Sequence, residues 1–357
     1  MEDETIIGFE ALYDSMNKCA KGVLHKNSAA YFYLHGIEEC MKLEAELKSG
    51  SYKPRQTHTV KITYPKPREA VSIAFRDRVY QRSLNDNVLY PNMTRSFIYE
   101  NMACQKGKGT NTARAHLDRI LHSYYINHGT DGYVLQCDVK GYYKSMSHRT
   151  TEECFKSHVP HDAYVRAKTV LQLQYSGDRG YAPGSQMVQI AGISYLDPLD
   201  HYIKEQLHIK YYLRYMDDFI LIHHDREYLE YCREQIELKM AELQLELHPK
   251  KTRIYELREG IKILGFTHRL TPTGKVIRII DPKNVKSARK RLRRLVNLAL
   301  KGEIPKSKAD ECLEAWKAHA RHGNSYKLLQ RIDKYYKSLW REYADYKEDD
   351  NATGGAG

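Results

Sequence analysis

The segment YYLRYMDDFILI places two adjacent aspartates, Asp217 and Asp218, between two runs of aromatic and branched residues. Runs of this composition favour β-strands, so the acidic pair is predicted at or near the turn of a β-hairpin. The tightest hairpin turns prefer Asn-Gly or Asp-Gly, and this segment has no glycine. Neighbouring carboxylates repel each other, so the pair is either a turn that faces water or a site for a cation.

A third aspartate, Asp138, lies at the end of the apolar strand predicted from VLQCD. Alone, it is explained equally well as an ordinary carboxylate at a strand end. Together with Asp217 and Asp218 it could bring three carboxylates to adjacent strand ends, an arrangement that is strongly repulsive unless it binds cations. Two Mg²⁺ ions held in this way can bind the attacking and leaving oxygens of a phosphoryl displacement. The pattern indicates a nucleotidyl transferase or a nuclease.

Both helices and strands are predicted around these aspartates, which indicates an α+β fold around an antiparallel hairpin. Apolar periodicity and breaker residues predict helices over 28–50, 150–175, roughly 186–207 and 226–245, and a helical, basic region from 284 onward. Strands are predicted over 56–64, within 65–81 ahead of a helix, at the start of 132–146, over 261–270 and over 275–280.

The charge of the chain points to a polyanionic partner. The 357 residues include 57 Lys and Arg against 45 Asp and Glu, a formal net charge of +12. Such an excess favours nucleic acid or an anionic membrane surface. No apolar run approaches the length of a membrane span, and the N-terminus MEDETIIGFE is acidic, unlike a signal peptide. We therefore expect no membrane association.

The seven cysteines lie far apart, and the sequence has no C-x-x-C pair. This spacing argues against a zinc site. An odd, scattered set of cysteines indicates reduced thiols and a cytoplasmic protein.

The motif Tyr215-Met216-Asp217-Asp218 resembles the Tyr-x-Asp-Asp motif of reverse transcriptases. Six further blocks resemble that family in its own order, over about residues 40–340. The resemblance implies a right-hand polymerase of fingers, palm and thumb. The blocks are PKPREAVSIAFRDRVYQ (65–81), ENMACQKGKGTNTA (100–113), CDVKGYYKSM (137–146), GYAPGSQMVQ (180–189), LELHPKKTRI (245–254) and GIKILGF (260–266).

Among bacterial reverse transcriptases, the sequence is most similar to those of diversity-generating retroelements. The chain ends after a short thumb, without a maturase DNA-binding or endonuclease extension, and EAWKAHARHGNSYKLLQRID (314–333) resembles the end of that group's thumb. The block ending at Gln189 resembles the group's Gly-x-x-x-Ser-Gln, where group II intron enzymes have Ser-Pro. Val188 stands where the serine is expected. That departure leaves open a related bacterial lineage, including antiphage-defence enzymes.

The resemblance implies a two-metal site. Asp138 and Asp217 would be the ligands, the Val139 carbonyl an additional oxygen ligand, and Asp218 a supporting carboxylate. The ions would be two Mg²⁺, with Mn²⁺ as an alternative.

The resemblance also implies a binding site for the incoming dNTP. Tyr143 would be the steric gate against a ribose 2′-OH, with Tyr142 as the alternative. The triphosphate would bind Arg68 and Lys66, with Lys61 as an additional candidate. Gln189 would contact the nascent base pair or the template, and Lys251 would protonate the pyrophosphate leaving group.

Other residues are candidates for binding the template and primer. Arg76 and Arg78 would contact the template or pair with Asp77, Lys106 and Lys108 would approach template phosphates, and Gly184 would allow close passage of backbone. Leu264 and Gly265 would form the primer-grip turn. The run KNVKSARKRLRR lacks acidic residues, so its helix is predicted to bind duplex backbone through Arg289, Lys290, Arg293 and Arg294.

We therefore predict an RNA-directed DNA polymerase whose partners are an RNA template, a DNA or RNA primer and dNTPs. The resemblance adds a small basic helical accessory protein and a structured noncoding RNA. The alternatives are an antiphage-defence or group II intron-like enzyme, and a nucleic-acid-binding scaffold with a vestigial site, against which the intact aspartates argue. The predicted domains are N-terminal helices and fingers (1–130), a palm with some fingers helices (131–275), a helical basic thumb (276–345) and a disordered tail (346–357).

Overall fold

The computed structural model describes the backbone of residues 2–63 and 67–353, and the side chains of 4–63, 67, 69–341. Within these ranges the chain forms sixteen α-helices and nine β-strands. The helices are α1 (Glu2–Ile7), α2 (Phe9–Ala20), α3 (Asn27–Leu34), α4 (Gly36–Ser49), α5 (Phe75–Leu84), α6 (Tyr90–Met93), α7 (Thr110–His128), α8 (Tyr142–Ser145), α9 (His148–His158), α10 (His161–Gln174), α11 (Gln186–Tyr195), α12 (Asp197–His201), α13 (Arg226–Glu242), α14 (Pro282–Leu300), α15 (Lys306–Ala320) and α16 (Tyr326–Thr353). The strands are β1 (His58–Ile62), β2 (Arg68–Ser72), β3 (Tyr133–Asp138), β4 (Tyr211–Tyr215), β5 (Asp218–His223), β6 (Arg253–Glu256), β7 (Ile261–Ile263), β8 (Phe266–Leu270) and β9 (Val276–Ile280).

The chain divides into two compact units, of which the first comprises residues 1–113 and 135–254. It contains the antiparallel pair β1–β2 and most of a four-stranded sheet with the order β4-β5-β3-β6. The edge strand β4 and its neighbour β5 are buried along nearly their whole length, which explains why they read as continuous apolar runs. This sheet carries all three aspartates singled out above.

Several helices of the first unit begin at side chains that cap their free backbone N–H groups. The hydroxyl oxygen of Ser147 accepts from the Thr150 N–H ahead of α9, and that of Ser185 accepts from the Met187 N–H ahead of α11. Asp225 caps α13, which follows the hairpin directly. Such caps stabilise a helix by about 1 kcal/mol each and fix the point where the chain turns into it.

The second unit comprises residues 114–134 and 255–357. It contains the antiparallel sheet β7-β8-β9 and the last three helices. Asp281 caps α14, and Pro282 occupies its first turn, where the missing N–H costs nothing. The helices pack around an apolar cluster that includes Leu292, Val296 and Ile332.

The predicted α+β class is confirmed, but several segments that were predicted as one element are divided. The predicted helix over 150–175 is α9 and α10, the one over 186–207 is divided between α11 and α12, and the predicted strand over 261–270 is the pair β7 and β8. The predicted helix over 28–50 is two helices, α3 and α4, and Gly50 ends the second with a φ of 73°. The predicted disordered tail begins at 346, whereas α16 continues to Thr353. Its sequence has neither glycine nor proline before Gly354, so nothing in it interrupts the helix. Residues 354–357 lie outside the described residues. No helix in the described part of the chain is long and apolar enough to span a membrane.

Candidate active site

Asp217 lies in the two-residue turn between β4 and β5. The register pairs Tyr215 with Asp218, so only Met216 and Asp217 connect the strands. Met216 has a φ of 60°, a left-handed conformation that tight hairpin turns require and that side-chain-bearing residues seldom adopt. The turn therefore exists without the glycine that such turns favour.

A buried ion pair holds this turn in place. Arg214 and Asp200 are both fully buried, and the Arg214 guanidinium donates to both carboxylate oxygens of Asp200, at 2.7 and 2.5 Å. Its Nη1 donates to the Met216 carbonyl at 3.0 Å, and the Tyr212 hydroxyl donates to Asp200 at 2.7 Å. The sequence analysis did not identify this pair. A single arginine in an otherwise apolar strand could have indicated this ion pair, because a buried charge nearly always has a partner.

Asp138 ends β3 and is held by an ammonium group. Lys251 Nζ lies 2.7 and 2.8 Å from the two carboxylate oxygens of Asp138, and this contact raises the pKa of Lys251. The Asp138 carbonyl accepts from the His248 N–H at 2.7 Å, and the Lys140 N–H donates to the Glu246 carbonyl. The bridge between Val139 and Leu247 therefore uses backbone groups of Asp138 and Lys140, not those of Val139.

The three aspartates lie close enough to disturb one another's ionisation. Burial raises the pKa of Asp217, and the neighbouring Asp138 carboxylate raises it further, while Lys251 and Arg214 act in the opposite direction. Burial, then the charges of Asp217 and Asp138, raise the pKa of Asp218 to about 7. The positive charges of Lys251 and Arg214 therefore do not fully offset the negative charge of the three aspartates.

This donor set fits hard divalent cations. Among the described residues, no three His, Cys, Asp or Glu side chains already surround one point, and Lys251 supplies the positive charge at Asp138. Yet carboxylates that repel each other in a partly buried site are the ligands that Mg²⁺ takes, and a cation would relieve the repulsion. Asp138 and Asp217 would hold it, with Asp218 and the Val139 carbonyl beside them.

Of the two candidate gate residues, Tyr143 is the more accessible. The Tyr142 ring is buried, and its hydroxyl donates to the Gly192 carbonyl in α11. Tyr143 is half-buried, and its ring lies against Gly192, where a Cβ would come within 3.1 Å of it. Burial, then the neighbouring Cys104 and Asp217, raise the pKa of the Tyr143 hydroxyl. Tyr143 is therefore next to the aspartates with part of its ring accessible.

Cys104 is a further residue at this place that the sequence analysis did not identify. It is exposed, has a φ of 52°, and its thiol lies 3.7 Å from the Met216 sulfur. Cys104 lies in the block 100–113, which resembles the reverse transcriptase family. A single cysteine in that block does not by itself predict a function.

Gln189 and Lys106 come together at one cavity of about 250 Å³ in the first unit. Gln189 is exposed on α11, and the Lys106 ammonium lies over the Tyr90 ring at 5.0 Å. Cys104 lines the same cavity. The cavity therefore extends from two predicted contacts, Gln189 and Lys106, to Cys104, which lies beside Met216 in the hairpin turn.

Arg78 and Gly184, both predicted to contact nucleic acid, line a second cavity of about 550 Å³. Gly184 has a φ of 150°, and a Cβ there would collide with the Val71 carbonyl oxygen, so only glycine fits. The sequence analysis did not identify three other cations at this cavity, because they come from α2, from the residue directly after it and from α5 rather than from one motif. They are Lys18, Lys21 and Arg82.

Two predicted nucleic-acid contacts are engaged within the protein. Arg76 is largely buried and forms an ion pair with Glu46, rather than with the template or with Asp77. The Lys108 ammonium donates to the carbonyls of Tyr99 and Asn101 at 3.0 and 2.9 Å. Neither position supports the predicted template contact.

The predicted triphosphate cations are only partly described. Lys61 in β1 is exposed and faces Glu69 across the strand pair. The backbone of Arg68 in β2 pairs with that of Ile62 in β1. Lys66 lies outside the described residues, as does the side chain of Arg68.

In the second unit, Leu264 and Gly265 form the two-residue turn between β7 and β8, with φ values of 51° and 83°. Helix α14 buries Leu292 and Val296, and its basic residues cover much of its remaining surface. Among the described residues, no acidic side chain forms an ion pair with the four cations that were predicted to bind duplex, all of which are exposed. They are Arg289, Lys290, Arg293 and Arg294.

Residues 65–268 match the family described as reverse transcriptase (RNA-dependent DNA polymerase), which is more than half of the chain. Among solved structures, apo telomerase from Candida tropicalis, truncated from its C-terminal domain, matches with a TM-score of 0.46 and 12% identity. That match covers 68% of this chain and 60% of the telomerase chain. No curated protein matches significantly. The family match confirms the predicted right-hand polymerase fold. This chain belongs to the reverse transcriptase family.

Proposed function

We propose that this protein is an RNA-directed DNA polymerase that copies an RNA template into DNA from a primer 3′-hydroxyl. The observation that carries this proposal is the cluster of Asp138, Asp217 and Asp218, in which burial and then mutual repulsion raise the pKa of Asp218 to about 7. A vestigial site would have no reason to keep a buried, unfavourable set of charges. Family membership over residues 65–268 supports the same activity.

The residues around the cluster suggest a role for each group. Asp138 and Asp217 would hold two Mg²⁺ ions, with Mn²⁺ as the alternative. When bound, these ions stabilise negative charge at the attacking and leaving oxygens. Lys251, which holds Asp138 at 2.7 Å in this structure, would donate a proton to the pyrophosphate leaving group. Tyr143 excludes a 2′-hydroxyl by its bulk.

The nucleic acids are proposed to follow the cationic surfaces of each unit. In the first unit, the cavity with Arg78 and Gly184 and the cavity with Gln189 and Lys106 would contact the template. In the second unit, the Leu264–Gly265 turn would contact the primer and α14 the duplex backbone. Cationic contacts to phosphates supply affinity without regard to sequence. Arg68 and Lys66 remain the proposed triphosphate ligands.

Within the family, we propose a bacterial enzyme of a diversity-generating retroelement, on the motifs that resemble that group. A basic helical accessory protein, a structured noncoding RNA and a cytoplasmic location belong to the same proposal. An antiphage-defence or group II intron-like enzyme is the alternative, and Val188 is the residue that favours it. The fingers, palm and thumb limits at 130, 275 and 345 are proposed from the same motifs.

The test is primer extension on an RNA template with Mg²⁺, comparing wild type with Asp217→Ala. We expect incorporation to fall by about 10³-fold or more, because catalytic groups of this kind contribute several kcal/mol to the barrier. Asp162→Ala, which removes an exposed carboxylate on α10, is the matched control and should retain full activity. Near-normal extension by Asp217→Ala would disprove the proposal, provided both variants melt like the wild type.

A further inference from the structure

The two cavities of the first unit, of about 550 and 250 Å³, lie side by side, since Arg82 and Gln186 line both of them. Each is also lined by a carboxamide side chain, Gln81 at the larger cavity and Asn85 at the smaller. Gln81 is 2% exposed and Asn85 is 6% exposed. The wall between the two cavities therefore contains two buried amide groups.

Each of these amides has one polar atom without a hydrogen-bond partner among the described residues. Oε1 of Gln81 accepts from the Ser185 hydroxyl at 2.8 Å, so its Nε2 group is an unused donor. Nδ2 of Asn85 donates to Asp86 at 3.1 Å, so its Oδ1 is an unused acceptor. Nearly all buried polar groups in proteins have a partner, so an unused donor and an unused acceptor in one wall indicate a polar ligand.

The surrounding contacts determine which atom of Gln81 is unused. The Ser185 Oγ atom already accepts from the Met187 N–H at 3.1 Å, so its proton is available for Gln81. An acceptor must then face that proton, which places Oε1 toward Ser185 and leaves Nε2 as the unused group. The terminal torsion of a glutamine or asparagine side chain is soft, so each amide can turn toward a bound ligand.

The backbone at Asn85 is also unusual. Asn85–Leu89 is a π-helical turn that directly follows α5. Such turns are rare and frequently lie at functional sites. Gln81 and Asn85 are four residues apart, a spacing that brings side chains to the same side of a helix. The unused donor and the unused acceptor are therefore neighbours.

The cations of the two cavities suit a nucleic-acid backbone. Lys18, Lys21, Arg78 and Arg82 line the larger cavity, and Lys106 lines the smaller. Cations bind the phosphates of RNA and DNA alike, and the ribose 2′-hydroxyl is the group that distinguishes the two. A hydroxyl both donates and accepts hydrogen bonds, so it matches an unused acceptor beside an unused donor. Base edges match less well, because a polymerase that copies any sequence cannot depend on them.

We propose that Gln81 and Asn85 bind 2′-hydroxyl groups of the template strand and thereby select RNA over DNA as the template. The Gln81 Nε2 group donates to a hydroxyl oxygen, and the Asn85 Oδ1 atom accepts a hydroxyl proton. The inference rests on the proposed function, in which these cavities contact the template.

Equilibrium binding of a primer–template without Mg²⁺ or dNTPs tests the proposal separately from catalysis. One DNA primer is annealed to an RNA template or to a DNA template of the same sequence. We expect wild type to bind the RNA template about fivefold or more tightly, because each hydrogen bond to a hydroxyl contributes about twofold to tenfold in affinity. Single 2′-deoxynucleotides placed along the RNA template should lower affinity by about twofold to tenfold at one or two positions.

The variant Gln81→Met with Asn85→Leu removes both amides and keeps similar side-chain volumes. Its affinity for the RNA template should fall to that for the DNA template, and the 2′-deoxy positions should no longer matter. Gln172→Met removes an exposed carboxamide on α10 that lines neither cavity, and this matched control should keep the wild-type preference. Thermal melting checks each fold, and the two single variants replace the double variant if it melts below wild type.

Equal binding of both templates by wild type overturns the proposal, and so does a 2′-deoxy effect that persists when the amides are removed. A template with no sensitive position overturns it as well, whatever the variants do. Failure of the proposed function gives a different result. In that case RNA is still bound more tightly than DNA and the preference still depends on the two amides, but neither template supports primer extension when Mg²⁺ and dNTPs are added.

Discussion

Arg214 and Asp200 form an ion pair in the interior of the first unit, with both side chains 0% exposed and nitrogen–oxygen distances of 2.7 and 2.5 Å. The same guanidinium donates to the Met216 carbonyl, so this pair connects helix α12 to the turn that carries Asp217. The hairpin that carries Asp217 is therefore positioned by a buried ion pair.

Replacing Arg214 with Met should destabilise the fold by about 3–5 kcal/mol, because Asp200 would remain buried without its cation. Urea unfolding followed by circular dichroism measures the loss. Arg149→Met breaks the exposed pair with Glu153 and should change stability by less than about 0.5 kcal/mol. Equal effects for the two variants would show that the buried pair is not a significant support.

Tyr143→Ala should admit ribonucleotides, because removal of the ring opens space beside the sugar. We expect discrimination between dNTPs and rNTPs to fall by roughly tenfold or more. Competition between the two nucleotides in primer extension measures this ratio. Tyr143→Phe keeps the ring and Tyr142→Phe removes only the hydroxyl that bonds Gly192, so both should retain discrimination. Unchanged selectivity in Tyr143→Ala would place the gate elsewhere.

The stability of the metal-free protein should fall as pH rises from about 4 to about 7. The folded Asp218 has a pKa raised to about 7, against an ordinary value of 3.8, so between these values the folded state binds more protons than the unfolded one. Asp218→Asn should flatten this dependence and stabilise the metal-free protein near pH 8, on the order of 1–3 kcal/mol.

Unfolding of both proteins across that pH range, with and without Mg²⁺, checks this expectation. Mg²⁺ should stabilise wild type more than Asp218→Asn above pH 7, since it relieves repulsion that the variant lacks. A wild-type curve that rises through this window would contradict the assignment of repulsion to the cluster.

Changing Arg289, Lys290, Arg293 and Arg294 to Gln should weaken binding of RNA–DNA duplex regardless of sequence. Each lost phosphate contact should flatten the slope of log affinity against log salt by about one unit. Processive extension should shorten, while addition of one nucleotide at saturating template should persist because the aspartates are unchanged. Binding of labelled duplex across a salt series provides the slopes, and identical slopes would show that α14 does not contact phosphates.

The sequence by itself determined the local elements of this protein. Periodicity located most helices and strands, and the Asp pair between two β-prone runs predicted the hairpin that the structure contains. Ser185 and Asp225 lie where helices begin, and Gly50 where one ends. These features depend on the backbone preferences of a few neighbouring residues, so they can be read from short windows.

Only the tertiary structure decided which distant side chains meet. Lys251 holds Asp138 across 113 residues of chain, Arg214 finds Asp200, and Arg76 pairs with Glu46 although Asp77 is its neighbour. The sequence also left Tyr142 as an alternative to Tyr143, and packing buried the first and left the second half-exposed. The sequence can show that a charged residue in an apolar segment needs a partner, but the packing of helices and strands determines which residue that partner is. The free energy of burying each charge depends on the whole fold, and no short window of sequence contains it.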